Sequence, residues 1–268
     1  MRLAAIDYHL RTADSRLCAQ AKGSGISALE LTRSTLLPER RWLGQPDGSS
    51  RWFHSALAMG VALESISASF AYEWSPIDRK GRVDETIIDA LADLVETASY
   101  VGARGVHVPC LDAPPPQNPA DLRRNVNYLS PVLEKARERS LSLYLETSWS
   151  ADLARSVADL DPQHLKISFD AGNAVAVGRD PVTELEILGS SLGQLRLRDR
   201  RRHEIFRSLP LGHGDVAWSA VQHAVLKLSE RPQVVLASTG GASLVESYAS
   251  AQRLLYNLLS EPAISRVA

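Results

Sequence analysis

Several short stretches of this chain end in side chains suited to chemistry on small polar molecules. Ile167-Ser168-Phe169-Asp170-Ala171-Gly172-Asn173 is an apolar run that closes on a carboxylate, and Leu195-Arg196-Leu197-Arg198-Asp199 is a second. Pro210-Leu211-Gly212-His213-Gly214-Asp215 then frames a loop with glycines before the next helical pattern. Leu141–Leu145 leads in the same way into Glu146, and Ser27–Leu31 carries Glu30. On alternating β/α barrels, active-site groups occupy the C-terminal tips of strands. Carboxylates there act as general acids and bases when they reach a substrate proton. Glu146, Asp170 and Arg196 are the catalytic candidates. Glu30 is a further strand-end carboxylate, a candidate substrate contact or replacement base.

Short apolar runs alternate with helical patterns along the chain and must position these groups. The strand candidates are 2–7, 27–31, 62–68, 105–108, 141–146, 165–169, 194–197 and 233–237. Between them, 84–100 places Ile87, Ile88, Leu91, Leu94, Val95 and Ala98 on one helical face, and 121–139 does so with Leu122, Val126, Leu129, Val132, Leu133 and Ala136. Asp180-Pro181 is a cap followed by a first-turn proline, a start signal for 182–188; 216–228 and 244–259 close the series. Strands alternating with helices pair in parallel through crossovers, and eight such units close on themselves. The fold class is α/β, a single (β/α)8 TIM barrel over residues 1–268. An open doubly wound sheet lacks its signature, because Gly23-Ser24-Gly25 precedes a strand instead of opening a helix.

Composition narrows the partners. With 30 Lys+Arg against 31 Asp+Glu, the net charge of −1 provides no field that favours nucleic acid or an anionic membrane. No run approaches the ~18 apolar residues of a membrane span. Asp7 interrupts the N-terminal apolar stretch too early for a signal peptide. Cys18 and Cys110 stand far apart without metal spacing, which implies inert thiols in a reducing cytoplasm. A homo-oligomer is left open.

At these motifs the chain resembles the xylose-isomerase-like barrels called sugar phosphate isomerase/epimerases, with most likeness to the L-ribulose-5-phosphate 3-epimerase and hexulose-phosphate isomerase group. The residues that carry the likeness are Leu145-Glu146, Phe169-Asp170-Ala171-Gly172-Asn173 and Phe206-Arg207-Ser208-Leu209-Pro210-Leu211-Gly212-His213-Gly214. The resemblance implies one divalent metal, often manganese, held by a Glu on the fifth strand, an Asp on the sixth, a His on the seventh and a Glu on the eighth. It also implies that the two Glu residues exchange protons on opposite faces of the substrate carbon. Glu146 and Asp170 match. The His position falls on Arg196 and the second Glu position on Ala237. A guanidinium has no lone pair for a metal and alanine has no donor atom. No metal and no other cofactor is therefore expected.

Two readings follow from that departure. In the first, the chain is a metal-independent isomerase, epimerase or related lyase acting on a small sugar or sugar phosphate. Glu146 would be the base, Arg196 the oxyanion stabiliser and Asp170 its orienting partner. In the second, the chain is a non-catalytic relative that binds a sugar-like ligand or a partner subunit. Nucleic-acid repair, suggested only by distant kinship with endonuclease IV, ranks third because the charge balance speaks against it. Arg196, pictured between Glu146 and Asp170, either grips a substrate oxyanion with its planar fork or neutralises two buried carboxylates. Arg207 aligns with the family's substrate-contacting arginine. Asn173 is a substrate hydrogen-bonding group or a turn residue. Gly240 and Gly241, before the last helix, are candidate phosphate contacts through their amides. The run Arg198, Arg200, Arg201, Arg202, His203 reads as a solvated loop, His107 as a packed, hydrogen-bonded histidine and His213 as loop structure. Tyr72, Trp74 and Trp149 fall after strand ends, where they either wall a pocket or, as the first reading for each alone, serve ordinary packing. The Pro-rich piece 113–119 is a rim element or a plain connector.

Overall fold

The computed structural model of the chain describes residues 2–6, 16–32, 54, 56–72, 80, 82–111, 115, 117, 118, 120, 121 and 127–260. Asp7, Trp74, most of 113–119 and residues 122–126 lie outside the described residues. The strands are β1 (Leu3–Ile6), β2 (Ala28–Thr32), β3 (Ala62–Ser67), β4 (Gly105–Cys110), β5 (Ser142–Thr147), β6 (Leu165–Asp170), β7 (Leu192–Leu197) and β8 (Gln233–Leu236). Each pairs in parallel with the next and β8 pairs with β1, giving a closed eight-stranded barrel. The strands are buried nearly throughout, as parallel strands covered on both faces must be, and so they read as apolar runs.

Helices cover the outside: α1 (Arg16–Gly23), α2 (Glu85–Tyr100), α3 (Ser130–Glu138), α4 (Ala151–Ala158), α5 (Ala171–Ala176), α6 (Pro181–Leu188), α7 (Trp218–Leu226), α8 (Leu244–Leu254) and α9 (Tyr256–Ser260). Asp84 caps α2, accepting from Thr86 N at 3.0 Å, and the apolar face named above is buried. Asp180 caps α6 through Thr183 N at 3.0 Å, with Pro181 in the first turn. Two expected helices are interrupted. Within 121–139, Asp121 and Asn127 are helical, Tyr128 and Leu129 form a turn, and α3 starts afresh at Ser130, where Pro131 lacks the N–H that a continuous helix would need. The last pattern breaks at Leu255, where ψ is 26°, into α8 and α9.

The barrel interior is divided. One side holds Ala4, Ile6, Ala28, Val235 and Ala237, small or apolar residues from β1, β2 and the end of β8. The other carries the polar groups Glu30, Ser65, Gln194, Arg196 and Gln233, linked to one another by hydrogen bonds. Two glycines let the mouth close around this interior. A Cβ on Gly172 would lie 2.4 Å from the Arg198 carbonyl oxygen. Gly240 has φ +59°, and its Cβ would lie 1.9 Å from the Leu209 carbonyl carbon. Both are places where only a glycine admits the neighbouring backbone.

Candidate active site at the barrel mouth

Alternate residues of a strand share a face, so Gln194 and Arg196 of β7 both point inward. Arg196 is 2% exposed. Its Nη1 donates to Glu30 Oε1 at 3.0 Å and Oε2 at 3.3 Å, and to Gln194 Oε1 at 2.9 Å. Glu30 Oε2 also accepts from Ser65 Oγ at 2.8 Å and Gln194 Nε2 at 3.0 Å. Burial alone would raise the Glu30 pKa. The charge of Arg196 and the Ser65 hydroxyl outweigh it and hold the carboxyl below its ordinary value.

Glu146 stands at the end of β5 with both oxygens occupied. Oε2 accepts from Tyr72 Oη at 2.6 Å and from His107 Nε2 at 3.0 Å, and Oε1 accepts from Asn173 Nδ2 at 3.2 Å. Arg196 Nε lies 3.9 Å away, near enough for an ion pair but too far for a hydrogen bond. Burial again opposes the charge. The His107 hydrogen bond and the Arg196 charge override it and press Glu146 far below the carboxylate range. His107 is lowered from its usual value by burial and by Arg196, which keeps it neutral. Facing an ionised carboxylate, Nε2 must carry the proton, so Nδ1 accepts from Ser67 Oγ at 2.8 Å. Burial of the hydroxyl and the adjacent Glu146 charge raise Tyr72 well above its ordinary pKa, although the residue is 42% exposed.

Asp170, at the end of β6, accepts from Asn173 N at 2.8 Å through Oδ1 and thereby caps α5. Its Oδ2 sits 2.9 Å from Arg198 Nε, an ion pair without hydrogen-bond alignment. Burial raises Asp170 above its usual value against the pull of Arg198. Arg196 therefore lies between Glu30 and Glu146, not between Glu146 and Asp170. The cation of Asp170 is Arg198.

The β7 exit corrects the solvated-loop reading for two arginines. An antiparallel bridge between Asp199 and Leu209 extends the strand geometry past Leu197. That extension turns Arg198 and Arg200 to the same side as Arg196, and both are largely covered, whereas Arg201, Arg202 and His203 are exposed as expected. The alternation in Arg196-Leu197-Arg198-Asp199-Arg200 was the signal. Asp199 faces the other way and is fully buried. It accepts from Gly212 N at 2.7 Å, Trp218 Nε1 at 3.1 Å and Val216 N at 3.4 Å, and so organises the loop that follows.

The remaining candidates are more dispersed. Arg207 is exposed on that loop, as is His213. Gly240 and Gly241 have positive φ, and α8 after them is closed by a capping box in which Ser243 and Glu246 satisfy each other's backbone amides. Trp149 packs in the core. Cys18 and Cys110 are buried and form no disulfide, and burial pushes the Cys110 thiol up to about 12. Tyr72, read as packing, instead holds Glu146. Nothing in its sequence neighbourhood marks that role, because it arrives from the 3-10 turn Ser69–Tyr72 after β3.

Residues 18–256 match the family described as xylose isomerase-like TIM barrel, and the chain belongs to it. No curated protein matches the chain. Among solved structures it is similar to a xylose isomerase domain protein from Planctomyces limnophilus, with 17% identity, 96% of each chain covered and a TM-score of 0.73. A D-tagatose 3-epimerase-like protein has 17% identity, with 97% of this chain and 98% of that one covered and a TM-score of 0.73. A 3-keto-D-glucoside 4-epimerase from E. coli has 14% identity, coverage of 95% and 98%, and a TM-score of 0.69. These likenesses show the fold.

The divalent metal implied by the family resemblance does not fit the residues present. Of the four aligned positions only Glu146 and Asp170 carry donor atoms. Arg196 instead places a guanidinium among the carboxylates, and Ala237 is a buried methyl group. Among the described residues, no group of three or more His, Cys, Asp and Glu side chains is arranged to hold a metal ion.

Proposed function

We propose that this protein is a non-catalytic relative of the sugar isomerases and epimerases that binds a small sugar-type ligand at the mouth of its barrel. The observation that carries this reading is the saturation of Glu146. Tyr72, His107 and Asn173 all donate to it, and Arg196 adds a charge at 3.9 Å. A base that removes a proton beside a carbonyl works best with a pKa near the operating pH. Glu146 is held far below that by its donors. The opposite acid/base position is Ala237, which has no proton to exchange. The mouth keeps polar groups suited to sugar hydroxyls, including Asn173, the half-exposed Tyr72 and Arg198. The family and the sugar epimerases of like fold support the ligand class.

One specific observation favours a second reading, a metal-independent isomerase or epimerase. Ser67, His107, Glu146 and Tyr72 form an unbroken chain of hydrogen bonds ending at a partly exposed hydroxyl. In that case Glu146 is the base, Arg196 steadies the developing oxyanion and Asp170 orients the site. Incubation with a panel of ketoses, aldoses and their phosphates in deuterium oxide separates the two. Saturable binding without exchange of a carbon-bound proton is the outcome expected. Exchange that disappears in Glu146→Gln would establish the enzyme instead.

A further inference from the structure

Arg200 is 8% exposed, and its buried Nε has no hydrogen-bond partner. Among the described residues its side chain has neither a hydrogen bond nor an ion pair. Its two neighbours on the same face are matched: Arg196 by Glu30 at 3.0 Å and Arg198 by Asp170 at 2.9 Å. Nε is thus cut off from water without an acceptor, a costly state for a polar group, and an oxyanion brought to the guanidinium would supply one. We infer that Arg200, with the adjacent Arg198, receives an oxyanion of the ligand, a carboxylate or a phosphate carried by the sugar proposed above.

Three further facts fit this assignment. Arg200 shares its strand face with Arg196 and Arg198, so it stands one step outside them at the mouth. Burial, then the charge of Arg198, lower its pKa against the opposing charges of Asp170 and Glu146. The segment 200–207 holds four arginines against one glutamate, a local positive field that would draw an anion to the mouth despite the near-neutral chain. The planar fork of arginine matches both carboxylate and phosphate oxygens. The inference rests on the ligand-binding reading of the mouth.

Isothermal titration at low ionic strength tests it with two matched pairs, D-fructose against D-fructose 6-phosphate and D-glucose against D-glucuronate, together with inorganic phosphate. The charged member of at least one pair should bind about tenfold tighter or more, the effect of one or two charge-assisted hydrogen bonds. The pair that shows the preference identifies phosphate or carboxylate. Arg200→Gln should abolish the preference, whereas Arg155→Gln, on the exposed side of α4, should keep it. Arg200→Gln should also melt no lower than the wild type, because it removes a buried Nε that has no acceptor. Equal binding of charged and neutral sugars, a preference that survives Arg200→Gln, a lower melting temperature in that variant, or no binding of any probe would each overturn the anion site. If inorganic phosphate binds in an Arg200-dependent way while neither sugar pair is held, the anion site stands and the sugar reading fails.

Discussion

Arg196 Nη1 and Glu30 Oε1 meet at 3.0 Å across the barrel, one side chain from β7 and the other from β2. Neither strand is the neighbour of the other in the sheet, so the pair spans the interior and fixes both groups below the mouth. Gln194 and Ser65 complete the shell of Glu30. This places a full positive charge where the family resemblance puts a histidine ligand, and it explains how Glu30 and Glu146 remain ionised while buried.

Removing the charge from this pair should be costly. Arg196→Ala leaves Glu30 and Glu146 buried without their cation and should destabilise the fold by about 3–5 kcal/mol. Replacing both partners, as in Arg196→Met with Glu30→Gln, should recover part of that loss, because Glu30 no longer carries a bare charge and Glu146 keeps its donors Tyr72, His107 and Asn173. Urea unfolding of both variants measures the difference. Equal stability of Arg196→Ala and the wild type would mean that the guanidinium is not the partner of these carboxylates.

Stability should fall on acidification in two steps. The folded pKa of His107 is depressed below 6.5, so the unfolded chain binds the proton first and the native state loses stability as pH drops below about 6.5. Glu30 and Glu146 are depressed below 4.5, so the stability they contribute is fully present above that value and is lost as pH falls toward their folded pKa values. Melting temperatures from pH 8 to 3 should therefore show a shallow decline followed by a steeper one. His107→Gln should flatten the first part and Glu146→Gln the second. A profile unchanged in both variants would contradict the assigned charges.

Much of the barrel was legible because its logic is local. Runs such as Leu141–Leu145, and the capped helix that begins at Asp84, declare themselves through apolar periodicity and turn chemistry. Strand-tip positions followed from the same runs, which is why Glu146 and Asp170 stand at one mouth with Asn173 linking them through its amide groups. Pairings across the barrel have no such local sign. Arg196 pairs with Glu30 while Arg198 pairs with Asp170, next to a bridge from Asp199 to the distant Leu209. Tyr72 reaches Glu146 over 74 residues of sequence. Only the alternate spacing of Arg196, Arg198 and Arg200 announced a shared face.

Asp199 should act as a structural carboxylate. It accepts three hydrogen bonds, from Gly212 and Val216 on the loop that leads into α7 and from Trp218, the first residue of that helix. In Asp199→Ala those donors lose a buried acceptor, at about 1–3 kcal/mol for each one left unsatisfied. The effect should be regional, with faster hydrogen exchange and new proteolytic cleavage between 200 and 216 while the opposite side of the barrel keeps its protection. Uniform loosening of the whole barrel would show that the loop has no independent stability.

The absent metal site should be recoverable by substitution. Arg196→His restores the third donor type, but it removes the cation from Glu30, so Glu30→Gln must accompany it to avoid a bare buried carboxylate. Ala237→Glu supplies the fourth donor from the end of β8, beside small residues such as Ala4 and Ala28. Glu146 and Asp170 are already at their strand tips. The triple variant then offers two Glu, one Asp and one His, a donor set suited to manganese or zinc. Manganese should raise its melting temperature in a concentration-dependent way, because a ligand bound only by the folded state stabilises it. The wild type should show no such shift. A triple variant that folds but is not stabilised by manganese or zinc would mean that Arg196 and Ala237 do not share a site with Glu146 and Asp170, and that the register of β7 and β8 against the family is displaced.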